Sequence, residues 1–172
     1  MKLSKTKIDS ILKSKGLNRN KIKELVGVSD GTLSKMVLGT RPFSVNVKEK
    51  LIPILEVSRD EFDSWIVADE YSNELIEKAI SSISSANSPD KIFEQNINGL
   101  LAEKSLSQTD FAKIIKYDQS SVNKMINGKI SLSPKVLKGL SEALGITIEN
   151  IQAWCLADKY SLKTLEMALK NK

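Results

Sequence analysis

The chain repeats itself. Residues 8–80 lie over residues 97–169 without a gap, at a constant offset of 89. The coincident anchors are Leu12/Leu101, Lys15/Lys104, Leu17/Leu106, Lys35/Lys124, Met36/Met125, Gly39/Gly128, Leu51/Leu140 and Leu55/Leu144. They close on Trp65-Ile-Val-Ala68-Asp69-Glu-Tyr71-Ser72 over Trp154-Cys-Leu-Ala157-Asp158-Lys-Tyr160-Ser161. A duplication with no net insertion means that whatever one half folds into, the other folds into as well. Two copies are too few to stack as a solenoid, so each is expected to own a core. The 172 residues give each copy roughly 80–90, enough for one compact helical core.

The local patterns are helical. In the second copy, Ile97, Leu100 and Leu101 mark an amphipathic helix over about 91–104, with Ser88 and Pro89 as its start signal. Ser107-Gln-Thr-Asp110 is a capping box ahead of a short helix expected to bury Phe111, Ile114 and Ile115. Lys116-Tyr117-Asp118 reads as a tight turn. A third helix follows over 119–127, with Val122, Met125 and Ile126 inward and Gly128 as its left-handed stop. Pro134 opens a fourth helix closed by Gly145, and Thr147 caps a fifth carrying Ile151 and Trp154. The first copy follows the same plan, with Asn18 as cap, Gly27-Val28-Ser29 as turn, a third helix over 30–38, Gly39 as stop and Ser58-Arg-Asp-Glu61 as a capping box.

A sixth helix ends each copy. Tyr71 with Ile76, and Tyr160 with Leu165, stand where hydrophobic staples would place them. The spacing thus predicts an all-α protein of two tandem domains, 1–83 and 91–172, joined by a linker over 84–90. The Trp-Ala-Asp-Tyr motif reads as core and joint, because Trp65 and Ala68 lie one helical turn apart on one face.

Composition narrows the function. The chain has no histidine and a single cysteine, Cys155, so the usual zinc ligand sets and Ser-His or Cys-His nucleophilic pairs cannot be assembled. No glycine-rich phosphate loop is present. The expectation is a protein without enzymatic activity, metal or cofactor. Cys155, between Trp154 and Leu156, reads as a small buried apolar residue. No apolar run of spanning length and no signal-peptide pattern occurs, so a cytoplasmic location and no membrane partner are expected.

Charge is segregated. Residues 1–50 carry 12 Lys/Arg against 4 Asp/Glu, whereas residues 51–90 carry 2 against 9. Residues 91–138 carry 8 against 4, and residues 139–172 carry 4 against 4. The front of each copy is therefore basic, an electrostatic footprint suited to phosphates.

Helix, capped helix, three-residue turn, helix and glycine stop make a helix-turn-helix. At Ser107-Gln108-x-x-Phe111-Ala112, with Ile114/Ile115, and then Ser120-Ser121-Val122-x-Lys124-Met125-x-x-Gly128-Lys129, the chain resembles the lambda-repressor-like, Cro/XRE family of DNA-binding domains. The resemblance covers 97–150 closely and 8–61 more loosely. It implies a recognition helix in the major groove with Gln119, Ser120, Asn123 and Lys124 at base edges. It also implies that Gln108 pins the DNA backbone and that Ser121 and Lys129 contact phosphates. In the first copy the corresponding candidates are Arg19, Asp30, Thr32, Ser34, Lys35 and Arg41. That copy departs from the pattern: Gly31 has no side chain to read with, and Asp30 is acidic. A division of labour follows, with backbone affinity from the first copy and base readout from the second.

The expected function is a sequence-specific double-stranded DNA-binding protein, a transcriptional regulator acting as a covalent pseudo-dimer. The competing classes are a protein-interaction adaptor or antitoxin-like module working through the acidic back, and a plasmid or phage replication or partition factor. The sixth helices and the Trp65 and Trp154 segments are the candidate surfaces for a homodimer.

Overall fold

The computed structural model describes residues 2–86 and 88–172; the side chain of Arg19 lies outside the described set. Within it the chain forms α1 (Leu3–Ser14), α2 (Arg19–Val26), α3 (Asp30–Val37), α4 (Val45–Leu55), α5 (Arg59–Glu70) and α6 (Asn73–Ser85). Then come α7 (Ile92–Glu103), α8 (Gln108–Ile114), α9 (Gln119–Ile126), α10 (Pro134–Leu144), α11 (Ile148–Lys159) and α12 (Leu162–Lys170). Each of the first six helices starts 89 residues before its counterpart. No strand occurs among the described residues.

Short-range chemistry sets most of these starts. Asn18, Ser29, Ser58, Ser107, Ser133 and Thr147 each accept a hydrogen bond from the amide three residues on, which satisfies one of the donors a helix N-terminus leaves open. Gly27 and Gly145 end α2 and α10 at φ 76° and 70°, a region that an L side chain enters only with strain.

The first helix of each half is started differently, by a carboxylate from far along the chain. Asp69, near the end of α5, accepts from the Leu3 amide at 2.7 Å, the Ser4 amide at 2.9 Å and the Ser4 hydroxyl at 2.5 Å. Asp158, near the end of α11, accepts from the Ile92 amide at 2.5 Å and the Phe93 amide at 3.2 Å. The aspartate of the duplicated motif is thus a cap for a helix 66 residues earlier. Ser88 and Pro89 do not start α7; its N-cap is Lys91, held left-handed at φ 58° with no side-chain cap bond of its own. A charged acceptor facing the positive end of the helix supplies more than a hydroxyl would.

The chain divides into two compact units: residues 1–72 with 163–172, and residues 73–162. In the first, Ile8, Leu12, Leu33, Met36, Leu51 and Leu55 build the core, closed by Phe62 and Trp65. In the second, the equivalent Ile97, Leu101, Val122, Met125, Leu140 and Leu144 do the same, closed by Ile151 with Trp154 packed against it. The grouping differs from the expected 1–83 and 91–172 at the sixth helices. α6 packs on α11 in the second unit, and α12 from Lys163 onward is a part of the first. The first two residues of the expected linker, 84 and 85, are the last residues of α6. There Ser82, Ser84 and Ser85 bond back to carbonyls four residues earlier, which turns a helix-competing hydroxyl inward along the helix.

One burial expectation changes. Ile114 is 51% exposed, as is Leu25 at the equivalent place in α2, because Phe111, Ala112 and Ile115 already fill the inner side of the seven-residue α8. Trp65 is 2% exposed and packs on Phe62 with ring centroids 5.9 Å apart, as the core reading of its motif expects. The apolar sides of the sixth helices, Ile76 and Ala79 in α6 and Leu165 and Ala168 in α12, are fully buried within their units.

Candidate nucleic-acid interface

In the second unit α8 and α9 pack at the Lys116-Tyr117-Asp118 turn. Lys116 sits left-handed at φ 58°, where the first unit has Gly27. Asp118 then opens α9, accepting from the Ser121 amide at 2.8 Å and from the Ser121 hydroxyl at 2.6 Å. Val122, Met125 and Ile126 anchor α9 in the core, and Ala112 of α8 is buried at the crossing. That anchoring fixes what remains outside. Gln119, Ser120, Asn123, Lys124 and Asn127 are exposed and recur at helical spacing along one side. Asn127 donates to the Asn123 side-chain oxygen, which pre-orders both amides on that face. Lys129 is exposed just past the glycine stop.

Two candidates are committed elsewhere. The Ser121 hydroxyl is bound to its own cap, beside an ionised carboxylate that would repel a phosphate. Asp118 is held below the ordinary carboxylate range first by that hydroxyl and then by the Ser121 amide. Gln108 is half-buried and donates from its side-chain amide to the Asn98 side chain of α7 at 3.2 Å. Asp110, two residues on, is also held low, chiefly by the Ser107 hydroxyl at 2.6 Å and then by Lys113. The N-termini of α8 and α9 therefore carry the protein's own negative charge.

The first unit has the reverse balance. α2 opens on neutral Asn18, has no acidic residue in its first turn and carries Lys21 and Lys23. On α3, Asp30, Gly31 and Lys35 are exposed and Ser34 is half-buried. Asp30 directly follows the Ser29 cap, in the first turn, where the helix dipole favours a negative charge. Thr32 is half-buried, its hydroxyl accepting from Ser29 at 2.9 Å, so it serves the cap. Arg41 is exposed beyond Gly39, and the Lys2 side chain lies over that glycine. The Arg19 side chain is outside the described residues. One position escaped the sequence reading: Asn127, which was findable, being four residues from Asn123 on the same helix. Lys2 belongs to the basic front expected from the charge pattern, but only the packing of α1 brings it to the end of α3.

No group of metal-ligating side chains occurs among the described residues, and none of their helices is long and apolar enough to cross a membrane. No curated protein and no solved structure matches the chain significantly. Residues 100–151 match the family model described as helix-turn-helix, of the Cro/XRE type; the match spans the end of α7 through the start of α11. That family is one of DNA-binding domains rather than enzymes, so the match points to DNA binding and regulation for the segment that presents α9.

Proposed function

We propose that the chain is a sequence-specific double-stranded DNA-binding regulator in which α9 reads bases and the first unit supplies mostly backbone affinity. The observation that carries this reading is the face of α9. Gln119, Ser120, Asn123 and Lys124 stand exposed together while Val122, Met125 and Ile126 lock the helix below them. Glutamine and asparagine can pair bidentately with adenine N6/N7, and lysine can donate to guanine O6/N7. Such contacts are useful only from a rigid platform, which the buried side of α9 provides. In the first unit the same place offers Asp30 and Gly31, poor readers. Its α2 is free of first-turn acids and carries Lys21 and Lys23, and Arg41 is exposed beyond α3. Backbone holding without base readout suits that chemistry.

A protein-interaction module on this fold is the rival. Its working face would be the acidic back, Asp60, Glu61, Asp63, Asp69, Glu70, Glu74 and Glu77. Three of these are engaged within the first unit: Asp60 with Thr164 at 2.7 Å, Asp63 with Lys48 at 2.6 Å, and Asp69 with the start of α1. That favours the DNA reading.

Binding of the whole chain to duplex DNA, measured across a salt series, separates the two. DNA binding should weaken linearly in log–log form with a slope of about −0.9 per phosphate contacted. Negligible affinity for mixed duplex at low salt would remove the proposal. Lys124→Ala should relax base preference at one position by about 1–3 kcal/mol, and Lys129→Ala should weaken all sequences alike.

A further inference from the structure

We infer that the two halves of the chain are coupled by a reciprocal exchange of their sixth helices, each of which is a docking element for the fifth helix of the opposite half. α6 follows α5 in sequence yet packs on α11. α12 follows α11 and bonds to α5: the Thr164 hydroxyl donates to Asp60 at 2.7 Å, and the Asn171 side-chain amide donates to the Ser64 hydroxyl at 3.0 Å. Lys172 reaches the Tyr71 carbonyl at 2.5 Å, and Lys163 lies 3.6 Å from Asp60. Each seam lies inside one compact unit.

The chemistry of the seams shows that they are built rather than incidental. Ile76 and Ala79 of α6 have no exposed surface, and neither do Leu165 and Ala168 of α12. These residues hold the same register in the two helices, so both fit the same kind of seat. Alanine at the second position allows a close helix approach. In the first unit the seam also contains buried polar groups that are matched across it. Thr164 is 3% exposed and its hydroxyl donates to Asp60, 104 residues away; Ser64, 0% exposed, donates to the Glu61 carbonyl of its own helix at 2.7 Å and accepts from Asn171 across the seam. A buried hydroxyl without its partner is costly, so such pairing selects this seat over a slipped one. The consequence is a coupling that does not depend on the segment between the halves. A chain cut there retains, in each fragment, a helix that belongs to the other fragment's core.

The test uses the full chain with a site-specific protease sequence inserted after Ser88, cut to completion under native conditions. The cut protein should elute as one particle of the uncut mass, 19.1 kDa plus the insert, at low micromolar concentration. Separation into two half-sized particles would overturn the inference. A second arm excludes any other source of cohesion. With Ala79→Arg and Ala168→Arg together, the cut chain should fall apart, and persistence of the single particle would also overturn it. Should that variant fail to fold, a covalent readout decides. In a Cys155→Ser background, Asp60→Cys with Thr164→Cys should form a disulfide that keeps the cut fragments in one band on a non-reducing denaturing gel. Two bands without reductant would refute the α12 seam.

Discussion

The turn of the helix-turn-helix can be tested at two equivalent residues of opposite character. Gly27 ends α2 at φ 76°, and Lys116 occupies the same place after α8 at φ 58°. A left-handed L residue costs about 1–2 kcal/mol, and glycine at such a place costs none of that strain. Glycine also gives the unfolded chain more freedom, which takes back about 0.5–1 kcal/mol. Lys116→Gly should therefore stabilise the protein by roughly 0–1.5 kcal/mol. Gly27→Ala runs the other way. A Cβ built on Gly27 would stand 3.4 Å from the Lys50 ammonium, which donates to the Val26 carbonyl at 2.9 Å at the end of α2; that is ordinary van der Waals contact, so strain alone opposes the alanine. With the same chain entropy set against that strain, the alanine variant should lose roughly 0–1.5 kcal/mol. Urea unfolding of the whole chain without DNA measures both, read as midpoint shifts at constant slope. A Gly27→Ala variant clearly more stable than the parent would refute the strain account. So would a Lys116→Gly variant destabilised by more than about 1 kcal/mol, beyond what glycine's chain entropy can explain.

Three further outcomes follow from the same geometry. Asp69→Ala and Asp158→Ala should each lose about 1–2 kcal/mol in urea unfolding, with Asp69 the more costly because it also holds the Ser4 hydroxyl. Ser121→Ala should remove the hydroxyl's bond to Asp118 while the amide cap of α9 remains, leaving DNA affinity within about twofold, and Asp118→Asn should raise affinity by removing a negative charge beside the interface; gel-shift titration reads both affinities. Burial, with a smaller contribution from Asp158, pushes the Cys155 thiol from 9.0 up to about 11. Its folded value is raised, so its contribution to stability is whole below pH 9.0 and is lost as pH climbs towards about 11. At pH 8 a thiol-reactive dye should label the native chain on the order of 100-fold more slowly than the urea-unfolded chain, since two pKa steps separate their thiolate fractions.

The amino-acid sequence by itself determined the helices and the turn. Caps such as Ser107 and Asn18, stops such as Gly128 and Gly145, and the inward Val122, Met125 and Ile126 act over three or four residues. That is the range over which side-chain spacing is legible. The exposed α9 face follows from the same periodicity, because fixing the buried side fixes the opposite one.

Tertiary structure alone decided three matters. Which carboxylate starts α1 and α7 depends on α5 and α11 delivering Asp69 and Asp158 across 66 residues. Whether Gln108 faces outward depends on Asn98, which α7 brings within 3.2 Å. Which fifth helix receives each sixth helix depends on the chain path. The apolar stripe of α6 shows that Ile76 and Ala79 must be buried, but duplication gives two seats of nearly equal shape. Hydrophobic burial has no direction, so a stripe states how much surface must leave water and not where it goes. The choice falls to directional contacts such as Thr164 with Asp60, and those exist only once the chain has folded.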